Sequence, residues 1–128
     1  MLKKLFLISA LLWSGVILFF CLENSNNIPQ IDILYLDKVI HAIFHFVFTM
    51  LWFSYLKKKL NSLNNFKPLV LAFVFSFVFG ISIEVMQEIL TTTRSADTYD
   101  ILSNVSGSLL AVITMGLLNR NNKIIDET

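Results

Sequence analysis

The sequence predicts an all-α membrane protein: a four-helix transmembrane bundle with both termini in the cytoplasm. Three observations lead there. First, 55% of the 128 residues are hydrophobic and only 15% are charged, too little charge to coat a soluble domain this small, whose surface is large for its volume. Second, the charged residues leave four long runs almost untouched. Third, the basic residues divide unevenly among the segments that join those runs.

The first run, residues 5–22, follows Lys3 and Lys4. A cleaved signal peptide begins the same way, but this stretch is long and has no small-x-small cleavage site. Leu18-Phe19-Phe20-Cys21 is similar to a bacterial lipoprotein box, except that bulky Phe20 stands where a small residue is needed. The run therefore reads as a retained helix. The second run, 39–56, is interrupted only by His41 and His45; the third, 69–90, is clean until Glu84; the fourth is 101–118. At ~1.5 Å per residue, a helix of such a length crosses a hydrocarbon layer of ~30 Å. Barrel strands would be about ten residues long and would alternate in polarity, which these runs do not. The connections are an outer loop at 23–38 containing Pro29, a cytoplasmic turn at 57–68, a short outer loop at 91–100 and a polar tail from Asn119. One domain, 1–128, is the natural division.

Orientation follows from the excess of basic residues on the cytoplasmic side of membrane proteins. Lys3, Lys4, Lys57, Lys58, Lys59, Lys67, Arg120 and Lys123 fall on one side of a four-helix path, and only Lys38 and Arg94 on the other. The first side is therefore cytoplasmic, and the chain is expected as a multi-pass protein of the cytoplasmic membrane, with membrane lipids as partners. Acids run the opposite way: Glu23, Asp32, Asp37, Glu84, Glu88, Asp97 and Asp100 lie in or near the outer half, Asp126 and Glu127 inside. Net charge is +1, with no basic block beyond Lys57-Lys58-Lys59, which argues against a nucleic-acid partner. Cys21 is the only cysteine, so neither an intrachain disulfide nor a cysteine-rich zinc site is available. Four glycines and two prolines leave no phosphate-cradling loop.

The unusual polar residues gather at one level. Asp37, His41 and His45 are four apart and share a helical face beside Lys38. Glu84, Gln87 and Glu88 share another at the outer end of the third helix. Asp97, Asp100, Asn104 and Gly107 follow the same spacing if helix geometry begins near Asp97. Polar groups in hydrocarbon are costly unless they pair or line a wet cavity, so the three stripes should face one another. Small residues at four-residue spacing (Ser76, Gly80 and Glu84; Ser103, Gly107 and Ala111) would let the third and fourth helices approach closely. Glu84, about two turns below the outer loop, needs a proton or a cation. Arg94, with a fork able to bridge two carboxylates, is the expected partner ahead of Lys38. Plainer roles exist for several of these residues. Asp37 suits an N-cap, Lys38 a snorkelling anchor, and Asp97 or Asp100 a cap for the fourth helix. His41 and His45 suit helix-interface contacts, Glu88 a solvated surface, and Trp13, Trp52 and the phenylalanines packing or lipid contact.

Asp37-Lys38-x-x-His41, then Glu84-x-x-Gln87, then Arg94-x-x-Asp97-x-x-Asp100-x-x-x-Asn104-x-x-Gly107 resembles the VanZ-like family of bacterial membrane proteins. The family takes its name from a teicoplanin-resistance protein carried beside vancomycin-resistance genes. The resemblance covers residues 37–107 by motif and nearly the whole chain by helix pattern. It implies a small polytopic protein of the cell envelope and supplies no reaction. It also implies Asp37, Lys38, His41, Glu84, Gln87, Arg94, Asp97, Asp100 and Asn104 as the polar signature, with Gly107 as a packing position. One position departs: the residue four after the motif histidine is commonly aromatic in this family and is His45 here.

Four functions fit these residues. Foremost is an outer pocket binding an anionic or sugar-bearing envelope ligand, such as a lipid-linked precursor, a glycolipid or a lipophilic glycopeptide. Lys38 and Arg94 would hold phosphate or carboxylate, and the acids and amides would bond hydroxyls. An enzyme acting on such a lipid would use His41 as acid or base, Glu84 to orient or polarise it and Arg94 to meet developing negative charge. A structural or partner-binding protein would use the network only to fix the bundle. A divalent-metal site of His41, His45, Glu84 and Asp100 is the least favoured, and no metal or cofactor is assigned.

Overall fold

The computed structural model describes residues 1–27 and 35–126, with only the backbone path for the last six. Pro29 and Asp32 of the first loop, and Glu127 of the tail, lie outside the described residues. Four α-helices account for nearly all of it: α1 (Leu2–Leu22), α2 (Leu36–Leu60), α3 (Phe66–Leu90) and α4 (Thr98–Asp126). A single 3-10 turn, Ser25–Asn27, follows α1, and there is no strand among the described residues. Each α-helix is long and apolar enough to cross a membrane, and the chain is a multi-pass membrane protein. Its outer surface agrees: Leu12, Phe19, Ile89, Tyr99 and Leu110 are among many large apolar side chains more than half exposed, a coat that water would not tolerate and lipid would.

The helices overrun the uncharged stretches at most ends, because polar residues continue the backbone ladder past the hydrocarbon. α2 takes in Asp37 and Lys38 at its start and Lys57, Lys58 and Lys59 at its end; Asp37 and the three last lysines complement the helix dipole, whereas Lys38 does not. Asp37 lies one residue inside α2 and is not its N-cap; that position is Tyr35, at a left-handed φ of 61°. Asn61, also left-handed, closes the helix, as asparagine commonly does. Pro68 is the third residue of α3, within the first turn, where no intrahelical partner is lost.

Hydrogen bonds fix the relative directions. Lys38 at the start of α2 meets Asp100 at the start of α4, and Lys57 at the far end of α2 donates to Asn119 of α4 at 3.1 Å. These two helices therefore run parallel. At the other pair, Gln87 near the end of α3 donates to the carbonyl of Cys21 near the end of α1, at 2.8 Å. α2 packs against all three other helices, whereas α1 and α4 do not meet among the described residues. Trp13 Nε1 donates to the Phe44 carbonyl at 3.0 Å, tying α1 to α2. Ile17, Cys21, Phe48 and Ile83 form the buried apolar core, flanked by Trp13, Leu18, Phe44, Trp52 and Phe79. Both tryptophans thus serve packing. Phe48 stacks on Phe79 with ring centres 4.6 Å apart.

The tightest approach lies between α2 and α4. A Cβ on Gly107 would lie 2.0 Å from the carbonyl oxygen of Ala42, so only glycine fits there. The buried stripe of α4 runs through Asp100, Asn104, Gly107, Ser108 and Ala111. Ser103 lies at its edge, half-buried and bonded to the carbonyl of Tyr99. On α3, Ser76, Gly80 and Glu84 are all buried, as the spacing suggested.

Candidate functional site

Asp97 ends the α3–α4 loop. Its Oδ1 accepts the backbone N–H of Tyr99 at 2.8 Å, which makes it the N-cap of α4, one of the two residues the sequence offered for that role. Its other oxygen takes a hydrogen bond from Lys38 Nζ at 2.6 Å. Lys38 also donates to Asp100 Oδ1, so one ammonium from α2 clamps both acids at the head of α4. Held by Lys38 and by the Tyr99 N–H, the Asp97 carboxyl titrates below the ordinary aspartate range. Asp37 stands 3.9 Å from the same ammonium.

Arg94 was expected to bridge Glu84 to Asp97 or Asp100, and it does not. Lys38 holds both aspartates instead. The reason is placement: Lys38 sits on the first turn of α2, directly across the close α2–α4 seam from Asp100. Arg94 lies in a loop pinned by Thr91, whose hydroxyl donates to the Gln87 carbonyl at 2.7 Å and accepts the Arg94 N–H at 3.2 Å. Glu84, 1% exposed, uses Oε2 to accept the Asp97 N–H at 3.0 Å, and its Oε1 is buried without a hydrogen-bond partner. The buried acid therefore anchors the loop through the backbone and pairs with neither cation. Glu88 is exposed, as its position suggested, and also accepts the Ala96 N–H at 2.8 Å.

His41 is 3% exposed. Its Nδ1 lies 3.1 Å from Asn104 Oδ1, an oxygen that only accepts, so Nδ1 carries the proton. Nε2 faces Asp37 Oδ1 and Asp100 Oδ2, each at 3.8 Å. Among the described residues, Asn104 and not Glu84 is the hydrogen-bond partner of the ring. His45 belongs to a different group. Its Nδ1 lies 2.8 Å from Ser76 Oγ, which bonds Ser108 Oγ at 2.6 Å, and Ser108 donates to the Asn104 carbonyl at 3.0 Å. A His41–His45 metal pair is therefore not assembled. This buried chain was legible only in part. Ser76 read as a small packing residue, and Ser108 was missed although it lies four residues after Asn104, on the same face.

Two adjoining cavities open on Asp37 and Arg94, and a third, of about 480 Å³, opens beside Lys38 and Tyr99. A polar basin of about 270 Å³ is lined by Asp37, Gln87, Arg94, Ser95, Asp97 and Asp100. An adjoining cleft of about 390 Å³ has Phe20, Ile40 and Phe44 on its apolar side and Asp37, His41 and Arg94 at its polar end. Arg94 and Asp37 line both. Arg94 is half-buried, and its Nε is buried without a hydrogen-bond partner. Of the residues singled out in the sequence, Asp37, Lys38, His41, Asp97, Asp100 and Asn104 are joined by direct contacts, Glu84 through the Asp97 backbone, and Gln87 and Arg94 as cavity walls.

The sequence model of the VanZ/LLP1 family matches residues 6–119. No curated protein and no solved structure matches the chain.

Proposed function

We propose, from the premise that the chain belongs to the VanZ/LLP1 family, that it acts in the bacterial cell envelope by binding a lipid-linked precursor or glycolipid through its anionic or sugar-bearing headgroup. One observation supports this above others: Arg94 stands where the polar basin meets the apolar cleft, with a buried and unpartnered Nε. Lys38 is already engaged by Asp97 and Asp100, so among the described residues lining these two cavities Arg94 is the cation left to meet a ligand, and its planar fork matches phosphate or carboxylate. Phe20, Ile40 and Phe44 would carry the first part of the lipid chain, while Asp37 and Gln87 would accept or donate to hydroxyls. A lipophilic glycopeptide joins an acyl chain to sugars and charge in the same way, which extends the reading to teicoplanin susceptibility.

Native mass spectrometry of detergent-purified protein with a polyprenyl phosphate tests the reading. The wild type should retain the lipid, Arg94→Lys should retain part of it, and Arg94→Ala should bind at least tenfold more weakly, a loss of about 1.4 kcal/mol. Equal retention by a folded Arg94→Ala protein would leave the polar network with a structural role alone. In cells, the wild type at matched abundance should change the inhibitory concentration of teicoplanin and Arg94→Ala should not.

A further inference from the structure

We infer that Asp37 Oδ1, His41 Nε2 and Asp100 Oδ2 together bind a divalent transition-metal ion, Zn²⁺ or Mn²⁺, at the wall shared by the basin and the cleft. This goes beyond the lipid reading and does not rest on it. The three ligand atoms lie within 4.8 Å of one another. His41 Nε2 is 3.8 Å from each carboxylate oxygen, too far for a hydrogen bond. Ligands sharing one ion at ~2.1 Å sit ~3.0–3.4 Å apart, so each carboxylate oxygen must close on His41 Nε2 by about half an ångström. Two carboxylates and one imidazole suit Zn²⁺ or Mn²⁺ better than the all-oxygen sites of Mg²⁺ or Ca²⁺.

The surrounding groups prepare each ligand. Asn104 Oδ1 accepts a hydrogen bond from His41 Nδ1–H and so turns the Nε2 lone pair toward the two acids, the usual outer support of a metal-bound histidine. That ring is 3% exposed and has no hydrogen bond at Nε2 among the described residues. Lys38 occupies the other oxygen of Asp100, which leaves Oδ2 for an ion and holds the carboxylate in place. Asp37 is 57% exposed in its side chain, at the mouth, and gives an entry path. Charge balance points the same way: among the described residues lining the site, the carboxylates of Asp37, Asp97 and Asp100 outnumber the cations Lys38 and Arg94. An ion there would keep open positions toward the cavity that Arg94 also lines, and so could share an anionic ligand with it.

The test is metal binding by full-length protein in detergent, stripped with a chelator and titrated with Zn²⁺ or Mn²⁺ alone. Calorimetry and elemental analysis should find one ion per chain with a Kd at or below about 10 µM, the tighter metal deciding between the two. Asp37→Asn should weaken binding at least tenfold while leaving the unfolding temperature of the stripped protein unchanged. Co²⁺ substitution should give visible absorption bands that His41→Ala removes. Asp37→Asn decides the matter even if His41→Ala fails to fold. Stripped wild type that takes up no ion, or Asp37→Asn that binds as tightly as wild type, would overturn the inference.

Discussion

Removing the Lys38 ammonium strands Asp100, a carboxylate only 8% exposed in its side chain. An unpaired acid in that position costs more than the bond it loses, because so little of the carboxylate is open to water. Lys38→Ala should therefore destabilise the protein by ~1–3 kcal/mol, and more than Arg94→Ala, which breaks no ion pair among the described residues. Thermal unfolding in detergent measures both, and adding Asp100→Asn to Lys38→Ala should recover part of the loss. Acid should act through Asp97. Its pKa is depressed in the folded protein, so its contribution is complete above the unfolded value, about 4, and disappears as pH falls through the folded value. The unfolding temperature of wild type should drop on acidification below about pH 4. Asp97→Asn, which keeps an N-cap, should flatten that drop. An equally steep drop in Asp97→Asn would refute this assignment. At this scale the sequence revealed the stripes but not the partners. Asp37 and His41, Glu84 and Gln87, and Asp100 and Asn104 share faces by helical phase alone. Whether Lys38 or Arg94 reaches Asp100 depends on how α2 and α4 are rotated and how closely they approach, and neither is local.

That approach is decided at Gly107. A methyl group there would meet the Ala42 carbonyl and Cα, both backbone atoms of the facing helix, which cannot move aside as a side chain would. Gly107→Ala should push α4 away from α2, at a cost of ~1–3 kcal/mol, and should loosen the Lys38 clamp with it. Gly116 is the internal control. Nothing lies within 4 Å of the position a Cβ would take there, so Gly116→Ala should be neutral or slightly stabilising. Unfolding temperatures of the two variants decide the matter, and equal values would mean the seam is not tight. Gly80 is intermediate: a Cβ would lie 3.1 Å from both Asn104 Nδ2 and His45 Cε1, side-chain rather than backbone atoms. The helices themselves were legible because a run of apolar residues long enough to cross a membrane has few alternatives. Their ends were not, because Asp37, Lys38 and Lys57 to Lys59 continue the hydrogen-bond ladder outside the apolar stretch.

Across the whole molecule, the two ends of the bundle differ in charge. One end holds Asp37, Lys38, Glu84, Arg94, Asp97 and Asp100. The other holds the N-terminal Lys3 and Lys4, Lys57 to Lys59, Lys67 and Arg120. Positive charge is retained on the cytoplasmic side during insertion, so the lysine end, with both termini, should face the cytoplasm and the cavities should open outward. Asn64 and Ser95 report on this directly, since both are exposed and they stand beyond opposite ends of α3. The native thiol is buried at 3% exposure, so a Cys21→Ser background removes it with little disturbance to the surface. In that background, Asn64→Cys should resist a membrane-impermeant maleimide in intact cells and react after the membrane is opened, whereas Ser95→Cys should react in both. Reactivity of Asn64→Cys alone in intact cells would invert the protein. The Arg94 pocket would then face the cytoplasm, out of reach of a ligand in the outer leaflet, so the same experiment bears on the lipid reading as well as on topology.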